Sequence, residues 1–442
     1  MAHKDPQNIK VAVTTLGCKV NQYESAAFQS AFLARGVEIV PFSQAADIYV
    51  INSCDVTNKA GAQSRRMIRR ALKANSTARV VVTGCYAQIA AMDILEIVEQ
   101  PVCIVGNGYK DLLVDFALAT DYCDLEMYMA DISKVRQCCT LPVTTFADRT
   151  RAYLKIQDGC NNFCSYCIVP LARGRSRSVL PEIALGQARM FVESGYREIV
   201  VTGIHVGMYG RDLQRPDRLT SLLDQMTALN PDTRFRLSSL EPNELSDSLL
   251  ELFVHRHNLM PHLHIPLQSG DDNILKKMNR HYTAADFRAV INKAHQRLPH
   301  AALGIDVLVG FPGEDDRAFQ NTCRLLEELP ATYLHVFPYS RRPGTVAAKR
   351  KDQVAGAVKE ERVRILHQLA AAKEQAFYSR AIGTRQRVLA ENNKNKTGLM
   401  RGFTENYIPV YFAAPAVLAH SLVEVEINRV TDNKVFATLV SS

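Results

Sequence analysis

Three cysteines lie close together in the segment Asp158-Gly-Cys160-Asn-Asn-Phe-Cys164-Ser-Tyr-Cys167, directly after an apolar run that is predicted to be a strand. Thiolates at this spacing can close on one metal centre, and a mononuclear structural zinc site needs four ligands. Three ligands instead leave one iron of a four-iron cluster open to a cofactor or a substrate. The segment therefore predicts an open-sided iron–sulfur site, with zinc as the alternative.

A second set of cysteines follows three predicted strands near the amino terminus. The strands are Lys10–Thr15, 48–52 and 79–83, and Cys18, Cys54 and Cys85 each come one to three residues after a strand end. Strands that alternate with helices form parallel sheets, whose carboxyl ends meet at one edge. The pattern predicts that these thiols converge. Spacing alone leaves the alternative of three small buried side chains.

From about residue 146 the alternation of strands and helices continues, with helical stretches such as Pro181–Ser194 between the strands. Six strand–helix units in about 200 residues are typical of an incomplete (β/α) barrel, with functional loops after the strands. The predicted strands are Ala152–Gln157, Glu198–Thr202, Phe235–Ser239, Leu263–Pro266, Gly304–Leu308 and Tyr333–Phe337.

The carboxyl-terminal part begins with a linker at 341–348 and a long predicted helix, Gln353–Arg380. Five short strands then predict a small β-barrel of the size that binds oligonucleotides. The chain has no tryptophan, so base stacking there would fall to Phe403, Tyr407, Tyr411 or Phe412, of which half are expected in the core. The fold class is thus α/β with a terminal barrel, and the expected domains are 8–120, 146–375 and 380–442.

Composition and charge restrict the kind of protein. The chain has 442 residues, 47% of them hydrophobic and 22% charged, and its eleven cysteines are too few and odd in number for a disulfide scaffold. No apolar run reaches the roughly 18 residues of a membrane span, and we expect a soluble, cytoplasmic protein. The net charge of +8 is uneven. Arg65, Arg66, Arg69 and Arg70 share one predicted helix, which indicates a phosphate-bearing partner or a solvated helix face.

The first cysteine motif, with Tyr166 before its last cysteine, resembles that of the radical S-adenosylmethionine superfamily. The resemblance implies a 4Fe-4S cluster on Cys160, Cys164 and Cys167 that binds S-adenosylmethionine and cleaves it to a 5′-deoxyadenosyl radical. Later loops resemble the segments of that superfamily that contact the cofactor. The cofactor-binding residues expected from them are Tyr166, Thr202, Gly203, Ser238, Glu241, Asp306 and Gly310.

The short motifs that contain the second set of cysteines resemble the amino-terminal domain of the methylthiotransferases. They lie at Leu16–Glu24, 52–54 and 83–85. Further motifs similar to that family lie at 174–178, 264–270 and 338–345, and the terminal barrel is similar to a tRNA-binding TRAM domain. The resemblance implies a second 4Fe-4S cluster, on Cys18, Cys54 and Cys85, that carries the sulfur. One S-adenosylmethionine would donate the methyl group and another the radical.

Within that family, Lys19-Val-Asn-Gln-Tyr-Glu24 is most similar to the branch that acts on N6-threonylcarbamoyladenosine beside the tRNA anticodon. The expected activity is methylthiolation of its carbon 2, with the anticodon stem-loop, an electron donor and a sulfur source as partners. The alternatives are isopentenyladenosine as the substrate, or a non-catalytic metal-containing RNA-binding protein. Arg173 and Arg175 join the four helical arginines as expected RNA contacts, and no catalytic residue beyond the cluster ligands is predicted. His205 is undecided between a cofactor contact and a structural role, and Cys103, Cys123, Cys138, Cys139 and Cys323 have no predicted role.

Overall fold

The computed structural model describes residues 9–98, 102–120, 125–146, 149–214, 218–394 and 398–441. The first sheet has six parallel strands in the order β2-β1-β3-β4-β5-β6. Every residue of β3 and β4 is buried, as expected for strands covered by helices on both faces. The strands are β1 (Lys10–Thr15), β2 (Glu38–Ile39), β3 (Ile48–Ser53), β4 (Arg79–Gly84), β5 (Val102–Val105) and β6 (Leu125–Tyr128), and the helices are α1 (Lys19–Leu33), α2 (Asn58–Ala74), α3 (Cys85–Ile89), α4 (Ala91–Leu95) and α5 (Leu113–Leu118).

The middle of the chain forms a half-barrel of parallel strands with helices outside. Two three-stranded sheets, β11-β10-β7 and β12-β13-β14, join through a bridge between Phe235 and Leu259. The parallel strands are β7 (Ala152–Lys155), β10 (Glu198–Thr202), β11 (Arg234–Leu237), β12 (His262–Gln268), β13 (Ala302–Val309) and β14 (Tyr333–Pro338). Between β7 and β10, β8 (Gln157–Asp158) and β9 (Arg177–Ser178) form a separate antiparallel pair. The helices are α6 (Val169–Arg173), α7 (Pro181–Glu193), α8 (Leu219–Thr227), α9 (Asp247–His255), α10 (Asp272–Lys277), α11 (Ala284–Arg297), α12 (Asp316–Glu328) and α13 (Gly356–Ser379).

Side chains alternate along these strands between the two faces of the sheet. Leu303, Ile305 and Val307 of β13 belong to the large core shared with the helices. The alternate residue Asp306 interacts with His264 of β12 and His335 of β14, so a polar face lines the inside of the half-barrel. The incomplete (β/α) barrel expected from the sequence is confirmed.

The last five strands form a closed barrel in the order β15-β16-β17-β19-β18, as predicted. Helix α13 packs against β14 and leads into this terminal barrel. Its strands are β15 (Arg385–Lys394), β16 (Met400–Phe403), β17 (Pro409–Phe412), β18 (Leu422–Thr431) and β19 (Lys434–Ser441).

The terminal barrel covers the amino-terminal ends of the half-barrel strands. The guanidinium of Arg236 lies 4.6 Å from the ring centre of Tyr407, and that of Arg151 lies 4.7 Å from the ring centre of Phe403. Both arginines bind the buried carboxylate of Glu198, at 3.0 and 2.7 Å. Phe403 and Tyr407 therefore hold two parts of the fold together, so of the four candidates for base stacking these two are engaged within the protein.

None of the helices in the described ranges combines the length and the apolar character that a bilayer crossing requires.

Candidate metal and cofactor site

The loop between β8 and α6 carries Cys160, Cys164 and Cys167 beyond the carboxyl end of β7. Gly159 begins this loop at φ +70°, and a Cβ there would lie 2.0 Å from the carbonyl oxygen of Arg175, so the turn requires glycine. The Cys160 N–H donates to the Gly174 carbonyl at 3.1 Å, which ties the loop to the end of α6. The backbone thus fixes all three thiols in one loop.

The thiols of this loop are near enough to influence one another. Burial, with a further contribution from the neighbouring Cys164, raises the pKa of the Cys167 thiol to about 12. A thiol with this pKa is protonated at neutral pH, whereas metal ligation requires the thiolate. Binding of a cluster here must therefore release protons.

Two polar pairs from the half-barrel contact this loop. Arg280 donates to Cys164 Sγ at 3.3 Å through Nη1 and forms an ion pair with Glu241 through Nη2. His205 Nδ1 lies 3.3 Å from Cys160 Sγ, and its Nε2 lies 2.9 Å from Glu244. Sequence reasoning did not find Arg280 or Glu244, because no local pattern links them to the cysteines. It left His205 undecided, and the structure places this side chain beside the cysteine loop.

Four of the predicted cofactor-binding residues lie at the carboxyl ends of strands: Thr202 ends β10, and Gly203, Ser238 and Gly310 follow β10, β11 and β13. A Cβ on Gly203 would lie 2.9 Å from Gln157 Oε1, so the glycine lets the chain after Thr202 approach the loop closely. The Ser238 Oγ is buried and has no hydrogen-bond partner among the described residues. Gly310 adopts φ +71°, which again favours glycine.

The other three predicted cofactor residues have protein partners. The Tyr166 ring packs edge-on against Phe311, with 6.4 Å between ring centres. Glu241 is the partner of Arg280 described above. The Asp306 Oδ1 accepts from His264 Nε2 at 2.7 Å and lies 3.4 Å from His335 Nδ1. Cofactor contact by these residues stays a prediction.

The second set of cysteines meets at the carboxyl edge of the amino-terminal sheet. Cys18 caps α1, Cys54 follows β3, and Cys85 is the first residue of α3. A Cβ on Gly17 would lie 2.6 Å from Cys54 Sγ, so the Cys18 turn rests directly on Cys54. Burial raises the pKa of the Cys54 thiol to about 12, and the nearby Cys85 and Cys18 thiols add to this effect. The structure thus brings together thiols from three distant sequence positions.

A buried ion network connects the two sets of cysteines. Glu24 of α1 accepts from Arg173 at 3.0 and 3.2 Å, forms an ion pair with Lys110, and lies 3.8 Å from Lys155. Arg173 also donates to Asp158 at 2.8 Å, two residues before Cys160. Helix α3, which begins with Cys85, packs against α6, which ends with Arg173. The network therefore holds the two cysteine sets in a fixed relation.

This placement corrects one sequence-based expectation. Arg173 is fully buried, with all its observed partners inside the protein, so it does not offer its guanidinium to RNA. Arg175 lies two residues later and is exposed.

Comparisons with known proteins agree with this geometry. Residues 10–106 match a family described as uncharacterized protein family UPF0004, and residues 154–326 match the radical SAM superfamily. The chain is 39% identical to the threonylcarbamoyladenosine tRNA methylthiotransferase MtaB of Bacillus subtilis, over 94% of this chain and 93% of that protein. It is 37% identical to the MtaB of Aquifex aeolicus, over 91% and 96% of the two chains.

The chain belongs to the radical S-adenosylmethionine methylthiotransferases. It is also 32% identical to a tRNA-2-methylthio-N(6)-dimethylallyladenosine synthase of Jannaschia sp., over 98% of this chain and 94% of that protein. Among solved structures, the fold resembles a radical S-adenosylmethionine methyltransferase, TsrM, from Kitasatospora setae, with a TM-score of 0.59 and 13% identity over 77% of this chain and 74% of that one.

Because the chain belongs to this family, its cofactors are S-adenosylmethionine and 4Fe-4S clusters. The residues present fit them. Each set supplies three thiols, so one of the four irons of a 4Fe-4S cluster would have no protein ligand and would be open to a cofactor or a substrate. The buried Ser238 Oγ after β11 has no partner among the described residues and leaves polar capacity for a ligand.

Four of the six arginines predicted to bind RNA lie on α2, which begins four residues after Cys54. Arg66, Arg69 and Arg70 are exposed. Arg65 is half-buried and donates to the Tyr86 hydroxyl at 3.2 Å, so it is partly engaged within the protein. The three exposed arginines of α2 are therefore free to face a phosphate backbone.

Of the five thiols without a predicted role, Cys123 lies outside the described residues. Cys103 is buried, and Cys138, Cys139 and Cys323 are half-buried.

Proposed function

We propose that this enzyme replaces the hydrogen on carbon 2 of N6-threonylcarbamoyladenosine, beside the tRNA anticodon, with a methylthio group. The observation that carries the proposal is the pair of three-thiol sets joined by the Arg173–Glu24 network, because the reaction needs two metal centres in a fixed relation. The threonylcarbamoyladenosine named in the B. subtilis and A. aeolicus relatives supports this choice of nucleoside.

The protein's own residues divide the work between two regions. Cys160, Cys164 and Cys167 would hold the cluster that works with S-adenosylmethionine, and Cys18, Cys54 and Cys85 would hold the cluster that carries sulfur. When bound, these groups supply the radical and the methylthio group, which acid–base side chains cannot provide. Arg280 and His205 orient the first thiol loop through their contacts with Cys164 and Cys160. We also propose that an electron donor and a sulfur source serve the enzyme.

The tRNA would bind across all three parts of the chain, and we propose 8–120 for sulfur delivery, 146–375 for radical generation and 380–442 for RNA binding. The exposed arginines of α2 and Arg175 would meet phosphates near the two thiol sets. On the terminal barrel, Arg429 lies 4.7 Å from the ring centre of Phe436, which in turn lies 6.1 Å from that of Tyr411. An aromatic pair beside an exposed arginine suits stacking on an unpaired base.

Nucleoside mass analysis tests the choice of substrate. Total tRNA from cells that lack the gene should contain N6-threonylcarbamoyladenosine without its methylthio derivative, and the derivative should return when the gene is restored. A methylthio derivative that persists in the deleted strain would contradict the proposal.

The second candidate is the same reaction on isopentenyladenosine, which the Jannaschia relative favours through its name. The same mass analysis separates the two candidates. Loss of the methylthio group from isopentenyladenosine alone would establish the second candidate in place of the first. Iron analysis tests the enzyme class, because about eight irons per chain are expected from two four-iron clusters. One or two zinc ions instead would support a non-catalytic RNA-binding protein.

A further inference from the structure

A cavity of about 390 Å³ lies beside the second set of cysteines, between the amino-terminal sheet and the half-barrel. Asp55 and Tyr86 line it, and these residues directly follow Cys54 and Cys85 in the chain. Arg342, from the segment after β14, lines it on the other side. The volume is in the range of sites that hold a small ligand. The cavity therefore borders the thiols that are proposed to carry the sulfur.

A buried ion pair at this cavity has polar atoms left without partners. Asp55 is only 1% exposed, and its Oδ2 accepts from Arg342 Nη2. Arg342 Nη1 donates to Asn58 at 2.6 Å, so the pair is fixed. The other carboxylate oxygen, Asp55 Oδ1, is buried without a hydrogen-bond partner among the described residues, and so is Arg342 Nε. Buried polar atoms are nearly always paired, so this acceptor and this donor indicate a polar ligand.

Gly61 of α2 keeps the space in front of the Asp55 oxygen open. A Cβ at Gly61 would lie 2.8 Å from Asp55 Oδ1, and 3.8 Å from atoms of both Arg65 and Tyr86. Glycine destabilises a helix relative to alanine. At this position it gives the unpartnered oxygen access to the cavity, since even a methyl group would cover that oxygen.

The charged groups that line the cavity balance one another, whereas the neighbouring surface is positive. The charged lining residues are two arginines and two carboxylates, namely Arg65, Arg342, Asp55 and Asp93. An anion would meet both carboxylates, so the lining favours a neutral polar ligand. Arg69 lies one turn after Arg65 on α2 and is exposed. A ligand that joins a neutral polar part to a phosphate outside the cavity would fit both regions.

The remaining lining suits a flat ligand. Ile89, Ala90 and Pro343 supply apolar walls. The Arg65 guanidinium lies 5.7 Å from the ring centre of Tyr86 and donates to its hydroxyl at 3.2 Å, which fixes its position. Unpaired bases stack on arginine planes and are read through hydrogen bonds at their edges. A nucleobase therefore meets the requirements of the cavity, and its phosphates would lie along α2.

We propose that this cavity holds one unpaired base of the anticodon loop, directly beside the target nucleoside. Asp55 Oδ1 accepts from an N–H on the edge of that base, and the exposed arginines of α2 bind the adjoining phosphates. The inference rests on the proposed function, because the target base lies at the second set of cysteines while its neighbour fills the cavity. It gives the enzyme a means to read the loop sequence next to the modified position.

A series of stem-loop RNAs tests the inference with the reconstituted enzyme. Each RNA carries N6-threonylcarbamoyladenosine and an abasic residue at a different loop position, and its Kd is measured by titration. The wild type should bind one of the two RNAs with an abasic residue directly beside the target about tenfold more weakly than the intact RNA. This is the loss expected for one stacked and hydrogen-bonded base. Wild-type affinity for both of these RNAs equal to that for the intact RNA would overturn the inference.

Two variants test whether the base lies in the cavity. Gly61→Ala covers Asp55 Oδ1 with a methyl group. Asp55→Asn turns the free acceptor into an N–H donor, because Arg342 holds the amide oxygen on its own side. Each variant should bind the intact RNA about tenfold more weakly and leave the Kd of the abasic RNA unchanged. The control, Asp232→Asn, removes an exposed carboxylate in the turn before β11 and should keep the wild-type difference.

The iron content of each variant shows whether the clusters are retained. A Gly61→Ala enzyme with full iron content that still prefers the intact RNA by the wild-type factor would overturn the inference. Arg65→Met removes the guanidinium on which the base would stack and should reduce the same preference. The test therefore does not depend on Asp55→Asn, which changes a buried ion pair beside Cys54.

Failure of the proposed function would give a different result. A wild-type enzyme that modifies isopentenyladenosine RNA and not threonylcarbamoyladenosine RNA would overturn the proposed substrate. The abasic series, repeated on the isopentenyladenosine stem-loop, would then still decide whether a neighbouring base occupies the cavity.

Discussion

The buried network around Glu24 should dominate the stability of the junction between the amino-terminal sheet and the half-barrel. Glu24, Lys110, Lys155 and Arg173 have side-chain exposures between 0% and 3%. Substituting Glu24 with glutamine keeps the shape of the side chain and removes its charge. Arg173 would keep Asp158 as a partner, whereas Lys110 forms its ion pair with Glu24 and would lose it.

Removing one partner of a buried ion pair typically destabilises a protein by about 3–5 kcal/mol, because the remaining charge stays buried without compensation. A chain of this size does not unfold in one step, so a global free energy of unfolding is not the appropriate measure. Amide hydrogen exchange of peptides from α1 and α6 reports the local opening instead. A free-energy change of about 1.4 kcal/mol corresponds to a factor of ten. The hydrogen-exchange protection of α1 and α6 should therefore fall by about two to three and a half orders of magnitude in Glu24→Gln.

Two comparisons test the physical reason. Glu361→Gln removes an exposed carboxylate that pairs with Arg364 on α13, and it should leave protection unchanged. Lys110→Met in the Glu24→Gln background should restore part of the protection, because it removes the charge left without a partner.

The difference in hydrogen-exchange protection between the wild type and Glu24→Gln should depend on pH in a defined direction. The cations around Glu24 hold the pKa of its carboxyl well below 4.5, despite burial that acts in the opposite direction. A lowered pKa means that the stabilisation is fully present above about 4.5 and is lost as the pH falls through the folded-state value. The gap between wild type and Glu24→Gln should therefore stay constant from about pH 7 to pH 5 and narrow only at lower pH. Equal protection of α1 in the two proteins at pH 7 would refute the reasoning.

Three further outcomes are expected. Cys54→Ser and Cys167→Ser should each lower the iron content by about half, because each removes a ligand from one of two separate clusters; loss of all the iron from either variant would contradict this. Gly159→Ala should lower the iron content as Cys167→Ser does, because the added Cβ would lie 2.0 Å from the Arg175 carbonyl oxygen and displace the cysteine loop. Full iron content in Gly159→Ala would show that the turn adapts to alanine. Arg69→Ala should weaken tRNA binding and reduce the slope of affinity against salt by about one, as measured by titration at several salt concentrations; an unchanged slope would exclude a phosphate contact.

The sequence determined the local structure and the identity of the candidate metal-binding loop. The strand at Glu198–Thr202 and the Cys160 motif could be predicted because hydrophobic alternation and ligand spacing act over a few residues. Convergence of Cys18, Cys54 and Cys85 also followed from the sequence, since successive parallel strands end at one edge of a sheet. Strands as short as β2, with two residues, gave too little periodicity to be found.

Only the tertiary structure decided which charged and aromatic side chains face one another. Arg173 resembles an RNA contact when it is considered beside Arg175, yet its partner Glu24 lies 149 residues earlier in the chain. Phe403 and Tyr407 look like stacking residues of a small barrel until the arginines of the half-barrel are seen against their rings. In each case the partner of a charge or a ring is set by three-dimensional proximity and not by sequence spacing.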